Sequence, residues 1–272
     1  MMRSLYTAAS GMRAQQTNLD VISNNLANVN STGYKTSTAE FKSLLYQTLQ
    51  TRSTSANGDY KPIGAQVGTG TRNASITTRF TQGAMLETAN DFGFGIEGDG
   101  FFAVQAADGN TYYTRNGDFQ MAVSSDGFML CTQEGYPVLD SDGMPITFGA
   151  DEYEPSKIKV TSDGTVCYPD ANNNLQSIGI KIGLYQVTNP AGFNSVGNTM
   201  YEVTDASGPA VEEGENPNLK KSTLMQGRVE GSNVQVADEM INMIVAQRAY
   251  EMNSKAIQAS DEMLSQANQL RR

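Results

Sequence analysis

"NVQVADEMINMIVAQRAYEMNSKAIQASDEML", residues 233–264, decides how the chain is organised. Val236, Met243, Tyr250, Ile257 and Leu264 recur every seven residues. Ala246, Asn253, Ser260 and Ala267 form a second line three residues further on. A mean spacing of about 3.5 residues is the seam of a narrow helix–helix contact rather than the broad face of a core helix. Ser232 and Gln235 have capping-box spacing just before the apolar run. Asp238 and Glu239 fall in the first turns and Arg271 and Arg272 at the end, as the helix dipole favours.

The other end of the chain repeats the pattern. Leu5, Met12, Leu19 and Leu26 recur every seven residues from about Ser4 to Asn28, with Ala8, Gln15, Ile22 and Val29 three further on. Such a helix has roughly 25 residues and is about 40 Å long. Gly11 and Gln15 weaken it in isolation. It runs into "SNNLANVNSTGYKT", residues 23–36. The amides of Asn24, Asn25, Asn28 and Asn30 compete with the helical backbone, and Gly33 allows a positive-φ turn that stops the helix. In a lone monomer these amides would face water; at a contact between subunits they would set geometry by hydrogen bonding. The pattern leaves both readings open. It likewise leaves open whether the two terminal helices only pair within the chain or pack into an array of identical copies. The polar seam residues Gln15, Asn253 and Ser260 suit an array that must fix register and partner.

Between the helical ends the material changes. All eight prolines lie between Pro62 and Pro217, and no glycine follows Gly231. Turn dipeptides recur at Asp99-Gly100, Asp108-Gly109, Asn116-Gly117, Asp126-Gly127, Glu134-Gly135 and Asp142-Gly143, with runs such as "FFAVQ" and "TYYTR" between them. That is the rhythm of an antiparallel β domain. Residues 50–72 are polar and Gly-rich, so they read as an extended connector. The expected fold is therefore α+β. Residues 1–35 and 226–272 form the two halves of a coiled-coil-like helical domain, 36–75 a connector, and 76–225 the antiparallel β domain.

Composition narrows the chemistry. The 272 residues carry 19 Lys and Arg against 29 Asp and Glu, a net charge of -10, so a nucleic-acid partner has no basic footing. No run of 18 apolar residues exists, which argues against membrane insertion, and Arg13, Gln15 and Gln16 interrupt any signal-peptide h-region. Histidine is absent, which removes the commonest general base and metal ligand and every Ser-His or Cys-His pair. Cys131 and Cys167 form neither a CxxC nor a zinc spacing and read as two buried thiols. An EF-hand loop starting at Asp140 would need Gly at 145 and Glu at 151, where the chain has Pro145 and Asp151. "GFGIEGDGFF", residues 93–102, is followed by a strand-like run, not by the helix that a phosphate loop opens. No catalytic residue, cofactor or metal is expected.

Three blocks carry a resemblance. "LDVISNNLANVNSTGYKTSTAEFKSLL" (19–45), "GIEGDGFFAVQ" (95–105) with "YYTRNGDFQMAVSSDGFML" (112–130), and the C-terminal stretch quoted above resemble, in this order, the signatures of bacterial flagellar rod and hook proteins. "LLYQTLQ" (44–50), "QVGTGTR" (66–72) and "RAYEMNSKAI" (248–257) are most similar to the distal-rod branch of that family, with the proximal-rod branch or a hook-like subunit as the alternative. The resemblance implies a non-enzymatic axial subunit of the basal body. It would be exported by the flagellar export apparatus without a cleaved signal, and would polymerise with itself and with neighbouring rod and hook subunits. The outer surface would face a ring bushing or cell-wall polymer. It also implies assembly roles for Asn24, Asn25, Leu26, Ala27, Asn28, Thr32, Gly33 and Lys35, and for Tyr250, Asn253 and Ile257. The two seams add Leu5, Met12, Leu19, Ile22, Met243 and Leu264. A secreted glycan-binding β module is the reading from another class, and it leaves both heptad ends unexplained. A carboxylate hydrolase has no spacing in its favour. Leu19→Asp or Ile257→Asp should leave the β domain folded and abolish assembly; normal swimming of a strain carrying either variant would contradict the seam reading.

Overall fold

The computed structural model describes residues 2–50, 65–124, 127–149, 153–170, 174–214, 216 and 219–269. The chain divides into two compact units. Unit 1 comprises Met1–Ala27, Ser37–Thr78 and Gln235–Arg272; unit 2 comprises Asn28–Thr36 and Arg79–Val234.

Unit 1 contains helix α1 (Met2–Ala27), strands β1 (Ser37–Ser43), β2 (Tyr46–Gln50), β3 (Ala65–Gly68) and β4 (Thr71–Thr78), and helix α2 (Val236–Gln269). The two helices run antiparallel along a line of small and polar residues. Ser4 Oγ lies 3.3 Å from Ser260 Oγ. A Cβ on Gly11 would sit 2.9 Å from Asn253 Nδ2, so the absent side chain at Gly11 is what lets α2 approach. Asn25 Nδ2 reaches Glu239 Oε2 at 3.4 Å. From Ser4–Ser260 to Gly11–Asn253 each helix moves by seven residues in opposite senses, and Asn25–Glu239 lies two such steps beyond. On α2 this is the second seam position expected from sequence. On α1 the contact line lies one residue before Leu5, Met12 and Leu26, because small side chains allow closer backbone approach than leucine or methionine.

The connector is the main departure of unit 1 from expectation. Residues 37–50 and 65–78 form a β ribbon in place of an extended strand. β1 pairs antiparallel with β4 from Ser37–Thr78 to Ser43–Thr71, and β2 with β3 from Tyr46–Gly68 to Gln50–Ala65. Polar, Gly-rich composition hid this pairing, since a two-stranded ribbon needs no buried face to close its backbone hydrogen bonds. Residues 51–64 of the expected connector lie outside the described residues.

Unit 2 is antiparallel throughout. Its strands are β5 (Met85–Glu87), β6 (Phe94–Glu97), β7 (Phe101–Gln105), β8 (Thr111–Thr114), β9 (Gln120–Ser124), β10 (Gly127–Cys131), β11 (Thr147–Phe148) and β12 (Lys159–Val160). They continue as β13 (Thr165–Pro169), β14 (Leu175–Lys181), β15 (Leu184–Gln186), β16 (Asn194–Gly197), β17 (Met200–Glu202), β18 (Val211–Glu212), β19 (Thr223–Gln226) and β20 (Arg228–Glu230). One sheet has the order β16-β17-β8-β7-β15-β18, and two three-stranded sheets, β11-β10-β9 and β12-β13-β14, stand beside it. The last two strands return to the first two: β19 pairs with β6 and β20 with β5. Phe94, Ile96, Phe102, Val104, Phe119 and Leu224 belong to the buried core. The expected turn at Asp108-Gly109 joins β7 to β8, and "GFGIEGDGFF" is a turn between β6 and β7, not a phosphate loop.

Residues 28–35 and 226–234, expected in the helical domain, fall in unit 2, where hydrogen bonds and buried charge described below hold them, and 76–78, expected in the β domain, fall in unit 1. The expected capping box does not form. Helix α2 starts at Val236, too late for Ser232 to cap it, and the Ser232 hydroxyl accepts the Val234 N–H instead. Arg271 and Arg272 lie outside the described residues. Cys131 and Cys167 are buried and free, and burial pushes the Cys131 thiol pKa up. Phe102 has no exposure and packs edge-to-face on Phe119 at 5.0 Å. Phe102→Ala should therefore lower the stability of unit 2 by about 3–5 kcal/mol in urea unfolding followed by tyrosine fluorescence.

Candidate functional site

In unit 2 the site begins with Gly33, whose φ of +69° few L-residues adopt. Its N–H donates to the Glu230 carbonyl at 2.8 Å, and a Cβ would lie 2.5 Å from the Asn116 nitrogen. Its requirement for glycine therefore comes from close packing in the β unit. It does not stop α1, which ends six residues earlier at Ala27. Lys35 follows, with a fully buried ammonium. Its Nζ donates to Glu230 Oε1 at 2.6 Å and to the Thr81 carbonyl at 2.8 Å. Arg115 donates to Glu230 Oε2 at 3.1 Å and to the Gly98 carbonyl at 2.7 Å, and its guanidinium stacks 4.9 Å from the Phe101 ring centroid. The Gly83 N–H completes the carboxylate at 2.7 Å. Burial holds the Lys35 pKa below its ordinary range; Glu230 pulls it back up and Arg115 pushes it further down.

Asn233 continues the same arrangement. Its Oδ1 accepts the Thr36 N–H at 2.7 Å and the Thr36 hydroxyl at 2.6 Å. Its Nδ2 donates to the Arg79 carbonyl and to both oxygens of Thr81. One amide thus ties the segment at 36, the start of the β unit and the segment before α2. In unit 1, Asn25 does the same for Ser37: Oδ1 accepts the Ser37 N–H at 3.0 Å and Nδ2 donates to its carbonyl at 2.8 Å.

Among the residues expected in assembly, Asn25, Gly33 and Lys35 are buried and hydrogen-bond to their own chain. Ile22 is also buried. Leu5, Met12, Leu19, Leu26, Asn28, Thr32, Met243, Asn253, Ile257 and Leu264 are half-buried, and Asn24, Ala27 and Tyr250 are exposed. Glu230, Arg115 and Asn233 were not foreseen. Each is an unremarkable polar residue in sequence, and its partner lies 115 or more residues away.

Unit 1 carries a second feature. The α2 residues that touch α1 are small or polar: Ala246 and Ser260 are buried and Asn253 half-buried. Several large ones are bare: Met240, Ile241, Ile244, Val245 and Met252 are each more than half exposed, Val245 at 63 %. Large side chains left bare beside a seam of small ones mark a helix whose apolar face requires further partners. Among the described residues no helix is long and apolar enough to cross a membrane, and no group of three acidic or cysteine side chains could hold a metal ion.

A buried charge cluster that serves the chain's own packing, and large apolar side chains left bare on α2, fit a structural protein that assembles. The family descriptions matched by the sequence agree. Residues 5–35 match "Flagella basal body rod protein", 95–168 "Flagellar hook protein FlgE/F/G D1 domain", and 225–270 "Flagellar basal body rod FlgEFG protein C-terminal". The chain belongs to the family of flagellar rod and hook proteins. It is similar over its length to the flagellar basal-body rod protein FlgG of Borreliella burgdorferi, 43 % identical over 274 residues with 100 % of both chains covered. The FlgG of Agrobacterium fabrum is 40 % identical over 268 residues, with 97 % of each chain covered. That of Bacillus subtilis is 36 % identical over 272 residues, with 100 % of each covered. Asn233→Ala should destabilise unit 2 by about 1–3 kcal/mol, because it strands the Thr36 N–H. Urea unfolding of the purified variant, with α2 helicity read separately by circular dichroism, checks this.

Proposed function

We infer that this chain is a structural axial subunit of the bacterial flagellar basal body, in the distal part of the rod. Copies stack helically into a hollow, rigid tube that carries torque from motor to hook. The full-length similarity to FlgG proteins carries this reading. The bare apolar face of α2 supports it, because a helix that buries its small residues within the subunit keeps its large ones for neighbours. Each such side chain gains about 1.5–3 kcal/mol on full burial. The two antiparallel helices act as a heptad-repeat pair in this assembly, with Leu19, Leu26, Met243, Tyr250, Ile257 and Leu264 at its flanks.

Neighbouring rod and hook subunits are the partners at the two ends of the stack. The flagellar export apparatus delivers the chain without cleaving it, and a ring bushing or cell-wall polymer meets the outer surface of the rod. No catalytic step belongs to this role. A proximal-rod position is the alternative within the family.

Electron microscopy of basal bodies from a strain lacking the gene tests the placement. A rod cut short at its distal end, without a hook, is expected. A rod lost nearer the inner membrane would place the chain proximally, and an intact hook-bearing basal body would overturn the reading. Ile244→Asp combined with Val245→Asp should give a folded, secreted protein that does not restore swimming. Normal swimming would remove α2 from the assembly surface.

A further inference from the structure

The members of the buried charge cluster reach it from distant parts of the chain. Glu230 follows Lys35 by 195 residues, Gly83 by 147 and Arg115 by 115. Among the described residues, the only ion pairs of Lys35 and Arg115 are those with Glu230, and all three side chains are at most 2 % exposed. The two cations are thus in place long before the carboxylate. A unit that closed without Glu230 would bury an ammonium and a guanidinium with no anion beside them, which is strongly unfavourable. The stretch that brings Glu230 also brings β19 and β20, which complete the ladders of β6 and β5 and bury Leu224 and Val229.

We propose that Lys35, Arg115 and Glu230 form a completion gate for unit 2: the two cations hold the unit open until the carboxylate of Glu230 joins them. A chain leaves the ribosome N-terminus first. Between the emergence of Lys35 and that of Glu230 it therefore carries first one and then two charges that oppose compaction, with no anionic partner for either. The gate opens only when about 40 residues remain, and these are mostly α2.

The full-length protein tests this by refolding and unfolding kinetics in urea, read on tyrosine fluorescence. If Glu230 joins before the barrier is crossed, its loss acts on the folding rate. E230Q should refold at least about a hundredfold more slowly than the parent, with its unfolding rate changed less than about threefold. K35M/R115M/E230M, which removes the cations with the anion, should refold at least as fast as the parent. If E230Q yields no folded protein, the triple variant decides alone. Parental refolding with faster unfolding in E230Q would overturn the gate, because the cluster would then form after the barrier. A triple variant that refolds as slowly as E230Q, or not at all, would also overturn it. The readout is the soluble monomer, so the result is independent of whether the chain builds a rod.

Discussion

A carboxylate with no solvent exposure anchors unit 2. Glu230 stands at the end of β20 and accepts hydrogen bonds from an ammonium, a guanidinium and a backbone N–H. Each partner comes from a different part of the chain: the segment after α1, the loop before β5 and the end of β8. Removing water from three charges is expensive, and the attraction among them offsets this only when geometry is good and remaining sites are filled. Here both carboxylate oxygens are used, while one buried nitrogen, Arg115 Nε, has no partner among the described residues. Such a cluster is weak evidence for stability and better evidence for selection of one arrangement.

Unit 1 is organised by a different constraint. Its helices approach through Ser4, Gly11, Ala246, Asn253 and Ser260, side chains too small or polar to build an oily core. Small residues allow close backbone approach but bury little apolar area, about 25 cal/mol for each Å² removed from water. The pair is therefore geometrically defined and energetically modest, while the larger apolar residues of α2 remain available. A subunit that must join a polymer late can use this division, since its helices need not be fully satisfied alone.

One of the four changes between the units along the chain falls between Thr36 and Ser37. Asn233 holds Thr36 within unit 2, and Asn25 holds Ser37 within unit 1. Both use a side-chain amide as a substitute strand partner, offering a donor and an acceptor in the spacing of a peptide group. The asparagine cluster after α1 thus includes one residue that works for the subunit's own chain. Asn25 was grouped with Asn24 and Asn28 because nothing in their order distinguishes a buried amide from an exposed one.

The seven-residue spacing of Met243, Tyr250, Ile257 and Leu264 and the recurring glycine turns were enough to place two terminal helices around antiparallel β structure. Periodicity and turn chemistry are local, so they are written in neighbouring residues. The three signature blocks likewise carried the family. Tertiary structure alone decided the remainder. It moved the contact line of α1 by one residue, folded residues 37–50 and 65–78 into a ribbon, and assigned 28–36 and 226–234 to the β unit. It also buried Lys35 by bringing Glu230 to it across 195 residues. Pairing between residues so far apart depends on which surfaces meet once water has been excluded, and no local pattern of side chains records that.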